Sequence, residues 1–344
     1  MRRRLTSLAA VATVATVVLT GCGSGSGAKS TASKDPKTAF TTGLSGLSDT
    51  DVLTLTLKLE TTPDKLVGYA KESGDTLDPT VAQHIATADI VFETKTSDGT
   101  HLSAIKPGTK VNAATRIAIQ DDGRTLGEFR VLTDALYAQA DLKSLLDLFQ
   151  QKTAYTDLTA RAKQMPPFVQ AFVQGHWVSL DLNALKAIAG QFGGAAASPS
   201  TQQAQKLLTD LKAVIGKDVT VARVGEDAQG DHLKLTTQSR TFVSDLMQSV
   251  TADIPAAGLA TGSFQPAKVP DHSIVVDAWV KNGVLSKISV DVVQFAKPSE
   301  VKPGDSLPVV LQFDRSGDDI SKPAGATPVD TTQLFTLFGS LGSK

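Results

Sequence analysis

Few residues in this chain are of a type and spacing that could do chemistry. The five histidines, His84, His101, His176, His232 and His272, lie far apart. None has a His, Cys, Asp or Glu partner at the spacing by which a helix holds a metal, as in His-Glu-x-x-His. They read as loop or strand-edge residues. The acidic pairs Asp121-Asp122 and Asp318-Asp319 carry oxygens suited to a cation or to acid–base work. Both stand in turn contexts, where an aspartate caps backbone amides instead. Ser24, flanked by Gly23 and Gly25, has no strand before it and lies in a run of small residues, so it is no nucleophile elbow. A glycine-rich phosphate loop is absent too. Neither an enzyme nor a cofactor is indicated. One thiol remains: Cys22 is the only cysteine in 344 residues, so no internal disulfide can form. The chemistry open to it is modification at sulfur.

What precedes Cys22 fits that chemistry. Arg2, Arg3 and Arg4 form a basic start, and residues 5–19 carry no charge and are dominated by Leu, Ala and Val. Such a run is short of the ~20 residues of a membrane span and suits the core of a signal peptide. The segment Leu19-Thr20-Gly21-Cys22 resembles a lipobox, the motif at which bacterial lipoproteins are cleaved and given a diacylglycerol thioether on cysteine. Residues 1–21 are then a leader and Cys22 the lipidation site. Two acyl chains on one residue hold a protein durably to a membrane. The expected location is the extracytoplasmic face of the cell membrane, lipid-anchored. Residues 22–37, rich in Gly, Ser, Ala and Thr, read as a flexible tether.

Removing the leader takes three arginines and no acid, leaving 31 Lys and Arg against 35 Asp and Glu. A weakly acidic body argues against a nucleic-acid surface and against general attraction to anionic headgroups. Hydrophobic residues make up 41% of the chain but aromatics only 5%, so Leu, Val, Ile and Ala must fill the core. That again disfavours nucleic acid, which wants stacking platforms.

The body reads as α+β. A short helix is expected over 36–47. Leu53, Leu55, Leu57 and Leu59 alternate with Thr54, Thr56, Lys58 and Glu60, a strand with one apolar face. Thr62-Pro63-Asp64 starts a helix. Strands are expected at 89–96, 101–105, 115–120 and 127–133, with turns between them, a meander and not alternating βαβ units. Residues 141–192 turn helical, with a break at Pro166-Pro167 and a strand-like piece at 175–180. Gly193–Ser200 is a loop, and Leu207, Leu208, Leu211, Val214 and Ile215 form a helical stripe. Strands follow at 218–224 and 232–237, then a helix over 241–250. Residues 273–280 and 284–295 form a hairpin through Asn282-Gly283, the strongest short-range hairpin signal. A last strand, 308–314, precedes the apolar tail Leu334, Phe335, Leu337 and Phe338. The expectation is one α+β domain over 38–344, a curled antiparallel sheet packed over several helices, with a helical middle at about 141–215.

Three segments carry a resemblance beyond the lipobox: Val131-Leu132-Thr133-Asp134-Ala135-Leu136-Tyr137-Ala138, His176-Trp177-Val178-Ser179-Leu180, and Val276 to Ile288 with Trp279 inside it. With their order along the chain, they resemble strand phrases of the mycobacterial LppX/LprG-type lipoproteins, which are LolA-like in fold. The resemblance implies a half-barrel of antiparallel strands around helices that holds a lipid or another hydrophobic molecule in the cell envelope. It identifies no ligand-binding residues, and the helical middle is extra to it. The alternative reading is a non-enzymatic scaffold lipoprotein with an envelope protein as partner. The two differ in whether the apolar sheet face is plugged by helices or left available, which periodicity alone does not decide.

Overall fold

The computed structural model of the chain describes residues 32, 34–72, 74–105, 113–184, 213–242, 244–245, 271–295, 301–302, 304–334 and 336. It has two compact units, each assembled from separated stretches of sequence. The first takes residues 1–60, 98–111 and 197–316, and the second 61–97, 112–196 and 317–344. The chain passes from one to the other repeatedly, so no single linker divides them. Both are α+β and their strands pair almost wholly antiparallel, as the hairpin spacing implies.

In the first unit the alternating leucines form β1 (Val52–Leu59). It joins β11 (Pro308–Asp314), β10 (Val284–Asp291), β9 (Ser273–Lys281), β8 (Gly230–Gln238) and β7 (Thr220–Asp227), in that order and all antiparallel. Register fixes the faces. Leu233, Ala278, Ile288, Leu311 and Leu57 stand opposite one another across five strands. One residue along, His232, Trp279, Lys287, Gln312 and Thr56 make the polar row on the other side. Helix α1 (Pro36–Gly46) covers the apolar face. Asp35 caps it by accepting from the Thr38 N–H at 3.0 Å, and Pro36 occupies its first turn, where no N–H is needed. Ala39, Phe40, Leu44 and Leu47 enter a core with Leu53, Leu102, Leu233, Leu235, Val280 and Leu285. Gly43 sets the approach: a methyl group there would lie 3.1 Å from the Leu285 backbone nitrogen. Asn282 and Gly283 take positive φ, 53° and 77°, as a tight β9–β10 turn requires.

The second unit begins with α2 (Pro63–Glu72) and α3 (Pro79–Thr87). Its sheet runs β2 (Ala88–Thr96), β3 (Ala113–Asp121), β4 (Arg124–Val131), β5 (Ala135–Ala140) and β6 (Val178–Asp181), each antiparallel to the next. The two-residue β12 (Thr327–Pro328) adds a parallel pairing on β6. Between β5 and β6 come α4 (Leu142–Leu148), α5 (Lys152–Ala162) and α6 (Pro167–Val173), with Pro166 capping and Pro167 opening the last.

Several elements differ from expectation for identifiable reasons. Residues 101–105 are not a strand but carry a short 3-10 turn, Leu102–Ala104. The Leu102 and Ser103 amides are taken by the carbonyls of Thr50 (2.7 Å) and Ser48 (2.8 Å), and Leu102 is buried in the first core. The strand expected from 127 begins at Arg124, because Asp122 (φ 49°) and Gly123 (φ 75°) turn the chain earlier. The piece at 175–180 starts only at Val178. Helix α3 was not anticipated. Its signal is Asp78, which accepts from the Thr80 and Val81 amides at 2.8 and 3.3 Å, followed by Pro79. Gly193–Ser200 lies outside the described residues, as do most of the helices expected at 207–215 and 241–250.

Candidate functional site

Cys22 and Ser24 lie outside the described residues. Within them, the surface that stands out is one face of the second unit's sheet. Phe92, Ile117, Phe129, Ala138 and Val178 are successive cross-strand partners from β2 to β6, so their side chains share a face. The rows on either side are Ile90, Ile119, Gly127 and Ala140, and Thr94, Thr115, Val131, Leu136 and Leu180. Helix α6 covers the β5–β6 end, where Phe168 packs with Ala138 and Val178. Val169, Phe172, Leu136, Val329 and Leu334 surround that contact. Among the described residues the cover stops toward β3 and β4: Phe129 is 46% exposed, Ile119 40% and Val131 37%. Neighbouring apolar side chains left uncovered on one face make this the candidate site.

The opposite face of this sheet is built from charge. Glu93, Arg116 and Arg130 are cross-strand partners, with Glu128 beside them on β4. The Arg116 guanidinium donates to Glu128 (Nε–Oε1 3.1 Å), Glu93 (Nη1–Oε2 3.4 Å) and Asp318 (Nη1–Oδ2 3.3 Å). Arg130 donates to the same Glu128 at 2.6 Å and to the Ser321 carbonyl at 2.8 Å, and lies 4.9 Å from the Trp177 ring. Glu93 Oε1 is buried without a hydrogen-bond partner. Burial raises the Glu93 carboxyl above its ordinary range, and the attraction of Arg116 only partly offsets this. Burial lowers Arg116, but the hydrogen bond and charge of Glu128 outweigh it, and the guanidinium is held more firmly protonated.

At the ends of β4 and β5 lies a cleft of about 460 Å³. Thr125, Glu128, Arg130, Gln139, Asp141, Tyr155 and Trp177 are among its lining residues. Its polar groups largely serve one another. Gln139 donates to the Gly175 carbonyl at 2.8 Å, and Asp141 accepts from the Ser144 amide at 3.0 Å while pairing with Arg124. In the first unit, Trp279 is held between two cross-strand neighbours. The His232 ring stacks on it at 4.5 Å, and Lys287 Nζ lies 4.8 Å from its centroid. Asp277 meets His232 Nε2 at 2.7 Å, Asp227 accepts from the Trp279 indole N–H at 2.8 Å, and Glu60 accepts from Lys287 at 2.7 Å. With its flanks taken, this ring is a clasp across β8, β9 and β10.

The histidines are not brought together. His84 pairs with Asp121 at 2.6 Å, His101 with Asp49 at 2.9 Å and His232 with Asp277. His84 stands in a helix and His232 within a strand, not in loops or at strand edges. Among the described residues, no group of three or more His, Cys, Asp or Glu is placed to hold a metal, and no helix is long and apolar enough to cross a membrane. Of the acidic pairs, Asp122 makes the β3–β4 turn, whereas Asp318 reaches Arg116. The carrier reading expects an available apolar sheet face, but the sequence does not say which strands form it. Its signal was present in the alternations Ile117-Ala118-Ile119 and Phe129-Arg130-Val131, which look like any one-faced strand until the covering helix is seen to stop short.

No protein-family model and no curated protein matches the chain. Among solved structures it is similar to the crystal structure of the Mycobacterium tuberculosis lipoprotein LppX, at 10% identity and a TM-score of 0.31, covering 84% of this chain and 100% of that one. It is likewise similar to LprF from Mycobacterium bovis, at 10% identity and a TM-score of 0.34, covering 84% and 97%. LppX is one of the lipoproteins that the sequence resembles.

Proposed function

We propose that this chain is a lipoprotein of the extracytoplasmic membrane face, anchored through Cys22, which binds or carries a lipid or another hydrophobic molecule in the cell envelope. One observation carries the reading. The apolar rows of the second unit run unbroken from the packed end at Ala138 and Val178 to the open end at Phe129, Ile119 and Val131. A hydrocarbon chain laid there gains about 0.8 kcal/mol for each methylene taken out of water, so a long acyl chain can offset the cost of association where a few carbons cannot. The anchor supports the same reading, because it holds the body where such molecules are found. No catalytic role is proposed.

The exposed patch also favours a second reading, in which the face docks an envelope protein and the chain acts as a scaffold. Native mass spectrometry separates the two. The chain beginning at Gly23, which keeps every described residue, is purified from a bacterial host and examined before and after denaturation. An adduct of lipid mass at one-to-one stoichiometry, lost on denaturation, is the expected result. A chain that stays bare after incubation with envelope lipids removes the carrier reading and leaves the scaffold. The anchor is tested separately: Cys22→Ser should move the protein from the membrane to the soluble fraction. Unchanged membrane retention would rule out lipidation as its hold.

A further inference from the structure

The C-terminal stretch of the second unit is held in two different ways. Its first part lies against the charged face, where Asp318 meets Arg116 and the Ser321 carbonyl accepts from Arg130, with Ile320 buried between them. Its second part passes the β6 edge and reaches the apolar face on the other side. There the hold is slight. The Thr327 amide donates to the Trp177 carbonyl and the Val329 amide to the Ser179 carbonyl, each at 2.8 Å. Beyond them Asp330 caps a helical turn through the Thr332 and Gln333 amides, and half-buried Val329 and Leu334 rest on the cluster of Ala138, Phe168 and Val178. Between the two parts stands Gly325 at φ +70°, a turn conformation that glycine adopts readily and that strains other residues.

We propose that residues 327–334 form a displaceable cover, hinged at Gly325, beside α6 at the β5–β6 end of the apolar face, and that this segment gives way when a hydrocarbon chain takes its place against the α6 contact. This rests on the lipid-binding reading above. The occupant seen on the face is the protein's own segment, presenting two aliphatic side chains where an acyl chain would present methylenes. The pairs at Asp318 and Ser321 keep the strap attached while the cover is off. The exposed side chains of Phe129 and Val131 adjoin the covered Ala138 and Leu136 as cross-strand partners. A ligand can therefore seat first on the open rows and then advance under the cover. Because a covered face binds only in its open fraction, weakening the cover tightens apparent binding.

The test uses the chain beginning at Gly23, which has no cysteine of its own. Affinity for cis-parinaric acid is read by fluorescence for this parent and for a Val329→Ser, Leu334→Ser double variant, whose fold is checked by circular dichroism. In a separate Leu334→Cys variant, the rate of maleimide labelling is read with and without the same acid. The cover predicts roughly tenfold tighter binding by the double variant. It also predicts faster labelling at position 334 once the acid is bound. Binding by the double variant alone, with none by the parent, supports it as well. Equal affinities, or a labelling rate that the bound acid leaves unchanged, overturn the cover and leave the lipid-binding reading standing. No binding by either protein overturns both.

Discussion

The two units close their sheets differently. In the first, helix α1 lies flat on the apolar face, and fourteen buried residues among those described form one cluster. The close fit depends on Gly43, since a side chain there would press on the Leu285 backbone. In the second, the cluster under α6 holds three buried residues among those described, and one strand away Phe129 is half exposed. The reverse faces differ as well. The first unit's polar face carries hydrogen-bonded and stacked groups at its surface. The second buries Glu93, Arg116 and Glu128, groups that are costly to take out of water. A helix seated along its whole length yields a core whose purpose is stability. A helix that stops short leaves apolar surface available for another molecule.

The largest expected effect lies in the charged face. Arg116→Met leaves Glu93 and Glu128 buried without their shared cation, and should lower stability by about 3–5 kcal/mol in urea unfolding. Glu93→Gln is the sharper companion. Burial raises the Glu93 carboxyl, so the fold prefers it protonated. The stability it contributes is fully present below the ordinary carboxylate value and is lost as pH rises through the raised one. Glu93→Gln should flatten that slope while Arg116→Met does not mimic it. Next in size is Leu233→Ala, fully buried in the first unit's core, at about 2–5 kcal/mol. A loss well under 1 kcal/mol there would mean the first core is loosely filled, and the contrast between the units would fail.

How much of this was legible follows from range. Leu53 and Leu55 alternate with threonines and duly bury while the threonines do not, because a strand's period is local. Asn282-Gly283 specified its turn for the same reason. The pairing of Arg116 with Asp318 spans 202 residues, and no spacing rule reaches that far. Asp121-Asp122-Gly123 and Asp318-Asp319 look alike as sequence, yet one is a turn and the other a partner in an ion network. The open apolar face was hidden in another way. Ile117, Ile119, Phe129 and Val131 have the pattern of core residues, and only the end point of α6 distinguishes a filled face from an available one.

A smaller effect sharpens the comparison at the polar rim of the second unit. Burial raises the Asp141 carboxyl, but the Ser144 amide and hydroxyl and the charge of Arg124 outweigh it and hold the group below its ordinary value of 3.8. The stability this contributes is present above that value and is lost as pH falls through the lowered one. Asp141→Ala should cost about 1 kcal/mol at neutral pH, the usual worth of a helix N-cap, and should remove that part of the acid sensitivity. Thermal melts between neutral and acid pH would show both.

The smallest change in stability should come from Phe129→Ser, and it is the most informative. Phe129 touches solvent over nearly half its surface and lies beyond the cover of α6. Replacing it should shift unfolding by less than about 1 kcal/mol, as surface substitutions do. Its effect on ligand should be large, because the phenyl ring stands between Ile117 and the covered Ala138 in the middle apolar row. Loss of most cis-parinaric acid binding with the melt unchanged would separate the two uses of apolar surface that distinguish the units. A large loss of stability instead would show that Phe129 is packed as a core residue, and the second unit's face would then be as filled as the first.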